Sequence, residues 1–358
     1  MYSQDDIDRA VADGALTQEA AASLRDYTSQ RKATSLVDEE HFHLLSGFND
    51  IFVTIAVLLV LFSCAFLGKE LHYNLGPVCV ALSAWALAEY FTRRRHMALP
   101  SIILLMAFVG GVSWTVFSVA GSQVFFDAGE SGDPIGVYIS KNFSLIFMTT
   151  SVAGALSAWL HWWRFRVPIT VAAGMAALVG LLVSLTMLLF SHNEIRSDFW
   201  LSPILFVAGV AVFALAMRWD LMDIERKTRN SDVAFWLHLL AAPLLVYPVF
   251  KFATAMEASN EVISALAVLA IYAVLGIVAL SIDRRALLVS ALVFLIAAIT
   301  DLAEELGTAG LSLSLSCLII GTFLLLLSAF WQRTRLIIVR KLPESLQSQL
   351  PPTVQSAS

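Results

Sequence analysis

One apolar stretch of the chain carries His238, Pro243, Tyr247, Pro248 and Lys251, residue types that do chemistry when water is scarce. A histidine can move a proton, a tyrosine hydroxyl can donate or accept, and each proline removes a backbone donor. Two prolines five residues apart predict a kinked or interrupted helix. Interrupted helices near the middle of a bilayer are where carriers present backbone groups to a substrate. Burying an ionisable group is costly, so a histidine there marks a candidate site. The plainer use of His238 is a hydrogen bond to a neighbouring helix, with the prolines only shaping the packing. Lys251 is expected to reach out to headgroups on its long stem.

Two carboxylates, Asp301 and Glu304, stand three apart with Glu305 beside them. On a helix they would share a face and attract cations; in a solvated loop they would do nothing specific. Glu89 precedes Arg93 by four residues, the spacing of a helical ion pair. Glu39 and His43 share that spacing, but one pair without further ligands does not hold a metal. Cys64, Cys79 and Cys317 are scattered through apolar runs and read as small packing residues. There is no phosphate-binding loop, paired-cysteine motif, zinc-protease helix or nucleophile elbow. The sequence therefore predicts no catalytic residue, no cofactor and no metal centre. A net charge of -5 excludes a broadly basic nucleic-acid binder.

The elements that must hold these residues follow from composition. Of 358 residues, 58% are hydrophobic and 14% charged, where a soluble domain carries roughly a quarter charged. The apolar residues come in blocks near the ~20 needed to cross hydrocarbon as a helix. They lack the alternation of barrel strands. The fold expected is all-α: a polytopic transmembrane bundle of about ten spans. These begin near Ile51, Leu75, Leu99, Phe143, Pro168, Trp200, Val233, Val262, Ala286 and Leu311. All but four of the 23 basic residues then fall on one side, the exceptions being Lys69, Lys141, Arg196 and Lys251. The positive-inside rule makes that side, and both chain ends, cytoplasmic. The sequence predicts an acidic outer loop with Asp127, Glu130 and Asp133 between the third and fourth spans.

Three regions are expected: 1–48, a cytoplasmic hairpin and approach helix; 49–331, the spans; and 332–358, a cytoplasmic tail. In the first, Ser3 and Thr17 can cap two short helices, with Gly14 as the stop between them. Such a hairpin is too small to hold a core alone, which predicts self-association, binding to another protein, or lying on the membrane. The stretch Leu36 to Phe48 reads as an amphipathic approach helix. Ala81-Leu82-Ser83-Ala84-Trp85 recurs as Ala155-Leu156-Ser157-Ala158-Trp159, a duplicated helical pair or convergence at span ends. Small residues, Gly110, Gly111, Ser113, Ser151, Gly154, Ala155, Ala158, Cys317 and Gly321, are expected to let helices approach closely.

The leader Ile7-Asp8-Arg9-Ala10-Val11-Ala12-Asp13-Gly14-Ala15-Leu16-Thr17 and the run Ser46-Gly47-Phe48-Asn49-Asp50 resemble those of a class of bacterial polytopic membrane proteins whose shared domain has no assigned function. Its tail is similar too: Trp331, Arg333 and Arg335, then Leu342-Pro343 and Leu350-Pro351-Pro352. The resemblance implies a multi-pass protein of the bacterial inner membrane and implies no activity. The function expected is a non-enzymatic membrane scaffold or assembly protein. Its partners would be the lipid bilayer and, through the hairpin, further copies of itself, with no nucleic acid. One alternative is a secondary transporter or channel-like protein, its pathway at the seventh span and its solute or ion undefined. Another is a lipid-modifying membrane enzyme.

Overall fold

The computed structural model describes residues 11, 13, 14, 16–23, 48–72, 74–131, 135–190, 197–223, 226, 228–256, 261–305, 311–347, 350 and 351. The chain divides into two compact units, Met1–Phe42 and His43–Ser358. In the first, Gly14 has φ +71° and its N–H donates to the Val11 carbonyl. That left-handed position is open to glycine at little steric cost. Thr17 Oγ1 then accepts from the Ala20 N–H at 3.2 Å, opening a helical segment over 18–23. Ser3, the approach helix up to Gly47, and the Glu39–His43 pair lie outside the described residues.

The second unit is helical throughout its described elements. Its ten long helices are α1 (Phe48–Leu71), α2 (Leu75–Phe91), α3 (Ala98–Ser131), α4 (Ile135–Phe165), α5 (Ile169–Phe190), α6 (Ser197–Leu221), α7 (Arg229–Met256), α8 (Glu261–Ile282), α9 (Ala286–Glu305) and α10 (Ser312–Ala329). Two short ones follow, α11 (Trp331–Val339) and α12 (Glu344–Gln347). The long helices fall on the ten apolar runs. The largest departure is α4, which starts at Ile135 instead of near Phe143, because α3 and α4 both run on past their apolar cores. The connection expected as an acidic loop is therefore mostly helix. Among the described residues six helices, α1 and α3 to α7, are long and apolar enough to cross a membrane. The α10–α11 pair meets the same test together but bends by 71° at its break. Large apolar side chains such as Phe62, Leu82, Trp159, Val207 and Leu325 point outward from the bundle, which suits a hydrocarbon solvent.

Packing follows chain order, each helix lying against the next. The α1–α3 core uses Val57, Leu61, Ala81, Ala84, Ala88, Leu104 and Phe108. The repeat keeps its register, since Ala84 and Ala158 are buried while Leu82 and Leu156 face outward. Gly111 backs onto the Pro77 carbonyl, where an added β-carbon would stand 2.9 Å away. Gly154 meets Ser113 and Ala177. Other small residues do not serve close approach: Gly110 and Gly321 face open space and Cys317 is exposed.

Helix α7 is the centre. It packs on α5, α6, α8 and α9, and 44% of its apolar stretch is buried, against 17–33% in the other five long apolar helices. Of the kink or interruption expected, the interruption does not occur: α7 is helical through both Pro243 and Pro248. Each proline removes one backbone donor, and the surrounding helices hold the rod together. Gly209 of α6 lies against the freed turn: a β-carbon there would stand 3.0 Å from the Leu244 carbonyl carbon, four residues before Pro248. Gly209→Ala should therefore destabilise the protein by about 1–3 kcal/mol through overpacking. Gly321→Ala, made in open space, should be neutral or slightly stabilising. Unfolding of both variants in detergent micelles checks this; equal midpoints would refute the close α6–α7 contact.

Candidate functional site

Helices α6 and α8 finish, and α7 and α9 begin, at one end of the bundle, where the arginine-rich turns lie. An acid stands at the close of both finishing helices: Asp220 in the last turn of α6 and Asp283 just after α8. A helix C-terminus carries partial negative charge, so an acid there is unfavourable unless cations are supplied. The fold supplies them across the sequence. Arg284, 2% exposed, donates from Nη2 to Asp220 Oδ1 and from Nε to Oδ2 at 3.3 Å. The same Nη2 also meets Ser231 at the start of α7, 3.0 Å from Oγ and 3.2 Å from the carbonyl. His238 of α7, fully buried, places Nε2 2.8 Å from Asp220 Oδ2 with its ring edge-on to Phe213. A carboxylate only accepts, so Nε2 carries the proton. Nδ1 is buried with no hydrogen-bond partner among the described residues.

A second knot lies on the other side of the same turn. Asp283 adopts φ +57°, and the Arg284 N–H reaches back to the Ala279 carbonyl, closing α8 with a left-handed cap. Asp283 Oδ1 accepts from Trp331 Nε1 at 2.7 Å, and Oδ2 from Arg226 Nη1 at 3.4 Å, with Arg335 Nε 3.8 Å from Oδ1. Arg226 also donates from Nη2 to the Ile282 carbonyl at 2.8 Å, satisfying a helix-end acceptor. Its own backbone is left-handed, φ +53°, within a turn pinned by Asp223, which accepts from the Thr228 N–H and hydroxyl at 2.7 and 2.6 Å. Asp283 and Arg284 are adjacent, so one turn joins the two knots and ties together α6, α7, α8, α9 and α11.

The segment after α11 closes over them. Arg335, 1% exposed, donates to the Pro351 carbonyl at 2.7 Å, and Leu350 packs on the core around Tyr272, Leu288 and Trp331. Leu350 and Pro351 face Met217, Asp220, Asp223 and Arg226 across a cavity of about 10 Å³, room for about one water. Trp331, Arg335 and Val339 at one end and Leu350 and Pro351 at the other thus hold this segment to the helices as a strap.

The residues singled out in the sequence do not share a site. His238 is in the knot. Tyr247 is nine residues further along α7, about 14 Å by helical rise, with Lys251 Nζ over its ring at 5.6 Å. Pro243 and Pro248 lie between and beyond. Asp301 and Glu304 are on the continuing helix α9, at its far end from Arg284, and their side chains lie outside the described residues. Sequence reasoning missed Asp220, Asp223, Arg226, Asp283 and Arg284 as a cluster. The available signal was an acid embedded in each of two arginine turns. Among the described residues no three potential metal ligands come together.

No family model matches the chain, and neither a curated protein nor a solved structure matches it.

Proposed function

We propose that the chain is a ten-span protein of the bacterial inner membrane, both ends cytoplasmic, acting as a non-enzymatic scaffold or assembly protein. The observation that carries this reading is the mutual engagement of the buried charges. Asp220, Arg284 and His238, with Asp283, Arg226 and Arg335, fasten helix ends to one another, around a cavity of about one water. Charge used this way fixes the relative placement of α6 to α9, which a scaffold requires. The ten apolar runs with their one-sided arginines support the span count and orientation. The resemblance of leader and tail supports the inner membrane. The N-terminal hairpin, with its Gly14 turn and Thr17 cap, supplies an element for association. Removing residues 1–31 is expected to reduce oligomer size or partner recovery from solubilised membranes. An unchanged size and an unchanged partner set would overturn the scaffold reading.

A transporter is the second reading, favoured by one observation: a fully buried histidine beside a carboxylate, next to a water-sized cavity. On that reading His238→Ala alters solute uptake at unchanged expression, and Tyr247→Phe, which lies along the same helix, does so too. Parental uptake by both variants would dismiss it.

A further inference from the structure

An open groove lies away from these knots, at the end of α2, where α4 also finishes. Glu89 of α2 receives a two-pronged pair from Arg164 of α4, Nε to Oε1 at 2.7 Å and Nη2 to Oε2 at 2.9 Å, and a bond from Arg93 at 3.2 Å. The bridge joins the arginine turn Arg93–Arg95 to Arg164 of the second arginine turn, with two guanidiniums, Arg93 and Arg164, on the one carboxylate. Arg95 donates to the Tyr90 hydroxyl oxygen at 3.2–3.3 Å, which leaves the phenolic hydrogen for another acceptor. Arg94 is exposed and has no carboxylate against it among the described residues. Along one face of the last turns of α2 runs a wide-open groove of about 560 Å³, lined by Ala86, Glu89, Tyr90, Arg93 and Arg94. On the last turns of α4, Trp159 and Trp163 stand 65% and 66% exposed, as indoles do at the boundary between acyl chains and headgroups.

We infer that this groove binds the phosphodiester headgroup of an anionic phospholipid. Arg93 and Arg94 offer N–H groups to the phosphate oxygens, and the Tyr90 hydroxyl adds a third donor. Ala86, one turn deeper in the bilayer, meets the first acyl carbons. Selectivity against a zwitterionic lipid follows from the lining. Its one acid, Glu89, is already held by two guanidiniums and cannot neutralise a lipid ammonium. Clustered arginines at the end of a membrane helix attract anionic headgroups by this chemistry. The inference rests on α2 and α4 crossing the bilayer, and is independent of which leaflet their arginine ends meet.

The test takes the full chain in mixed micelles of phosphatidylglycerol and phosphatidylcholine, with native mass spectrometry to count retained lipids. The parent should keep phosphatidylglycerol in preference to phosphatidylcholine. Arg94→Gln should weaken that retention about tenfold, the effect of one charge-assisted contact. Arg218→Gln, the same charge change on α6, should behave as the parent. Equal retention of both lipids, or full phosphatidylglycerol retention by Arg94→Gln, would overturn the site. Displacement of the lipid by inorganic phosphate as readily as by added phosphatidylglycerol would assign the groove to a free anion and overturn the lipid. Recovery of all three proteins in the membrane fraction tests insertion separately, so a failure of the bilayer reading is distinguishable.

Discussion

Asp220→Ala is expected to lower stability by about 3–5 kcal/mol, because it strips the carboxylate from a guanidinium that stays buried. Arg284 would keep only its Ser231 contacts, and His238 would lose the acceptor of its one hydrogen-bonded nitrogen. Much of the effect is the penalty of an unmatched cation, so removing that cation should restore most of it. In Asp220→Asn with Arg284→Met, the amide oxygen still accepts from His238 and the thioether fills the space of the arginine stem. Unfolding of both proteins in the same micelle measures the difference. A double variant no more stable than Asp220→Ala would show that the pair is not what holds these helix ends.

Substitutions at Asp283 should separate charge from backbone. The residue supplies an acceptor to Trp331 and Arg226 and also tolerates φ +57°. Asparagine keeps an acceptor and an affinity for left-handed backbone, losing only the charge. Glycine loses every side-chain contact but relieves the backbone. Alanine loses the contacts and strains the backbone by about 1 kcal/mol more, for a total of about 3–5 kcal/mol. The expected order of stability is Asn above Gly above Ala, with Trp331 fluorescence shifting in the last two. If glycine matches asparagine, the carboxyl is not an anchor; if alanine matches glycine, the left-handed backbone carries no strain.

The helices were legible in the sequence because hydrocarbon thickness and helical rise together set the length of an apolar run. Hydropathy falls silent once a helix leaves the apolar layer, which is why the extensions of α3 to Ser131 and of α4 back to Ile135 were read as loop. His238 stood out because position alone makes a buried histidine unusual, and it makes an interhelical hydrogen bond of the kind named as the plainer alternative. Its partners were not readable, since Asp220 lies 18 positions before His238 and 64 before Arg284 and no local period links them. The arginines were assigned a direction, and nothing in one dimension separates Arg94, open to solvent, from Arg284, sealed inside. Tyr247 was singled out with His238 on one apolar stretch, and distance along α7 separates the two; Asp301 and Glu304 were singled out as a pair of their own, at the far end of α9 from Arg284. Trp331, Arg335 and the Leu350-Pro351 step were recognised as features of the tail. Their work, closing over Asp283 and Arg226, emerges only when α11 turns back by 71°.

The strap has a consequence for biogenesis. Leu350 and Pro351 are translated after every long helix, so α6 to α9 have left the ribosome before the residue that receives the Arg335 hydrogen bond exists. Until then Arg226 and Asp283 meet water from the side that the strap later covers. Messages broken off within the last turn of α11 would yield a protein with its full complement of long helices and an unsealed inner face, a defect that quality-control proteases can read.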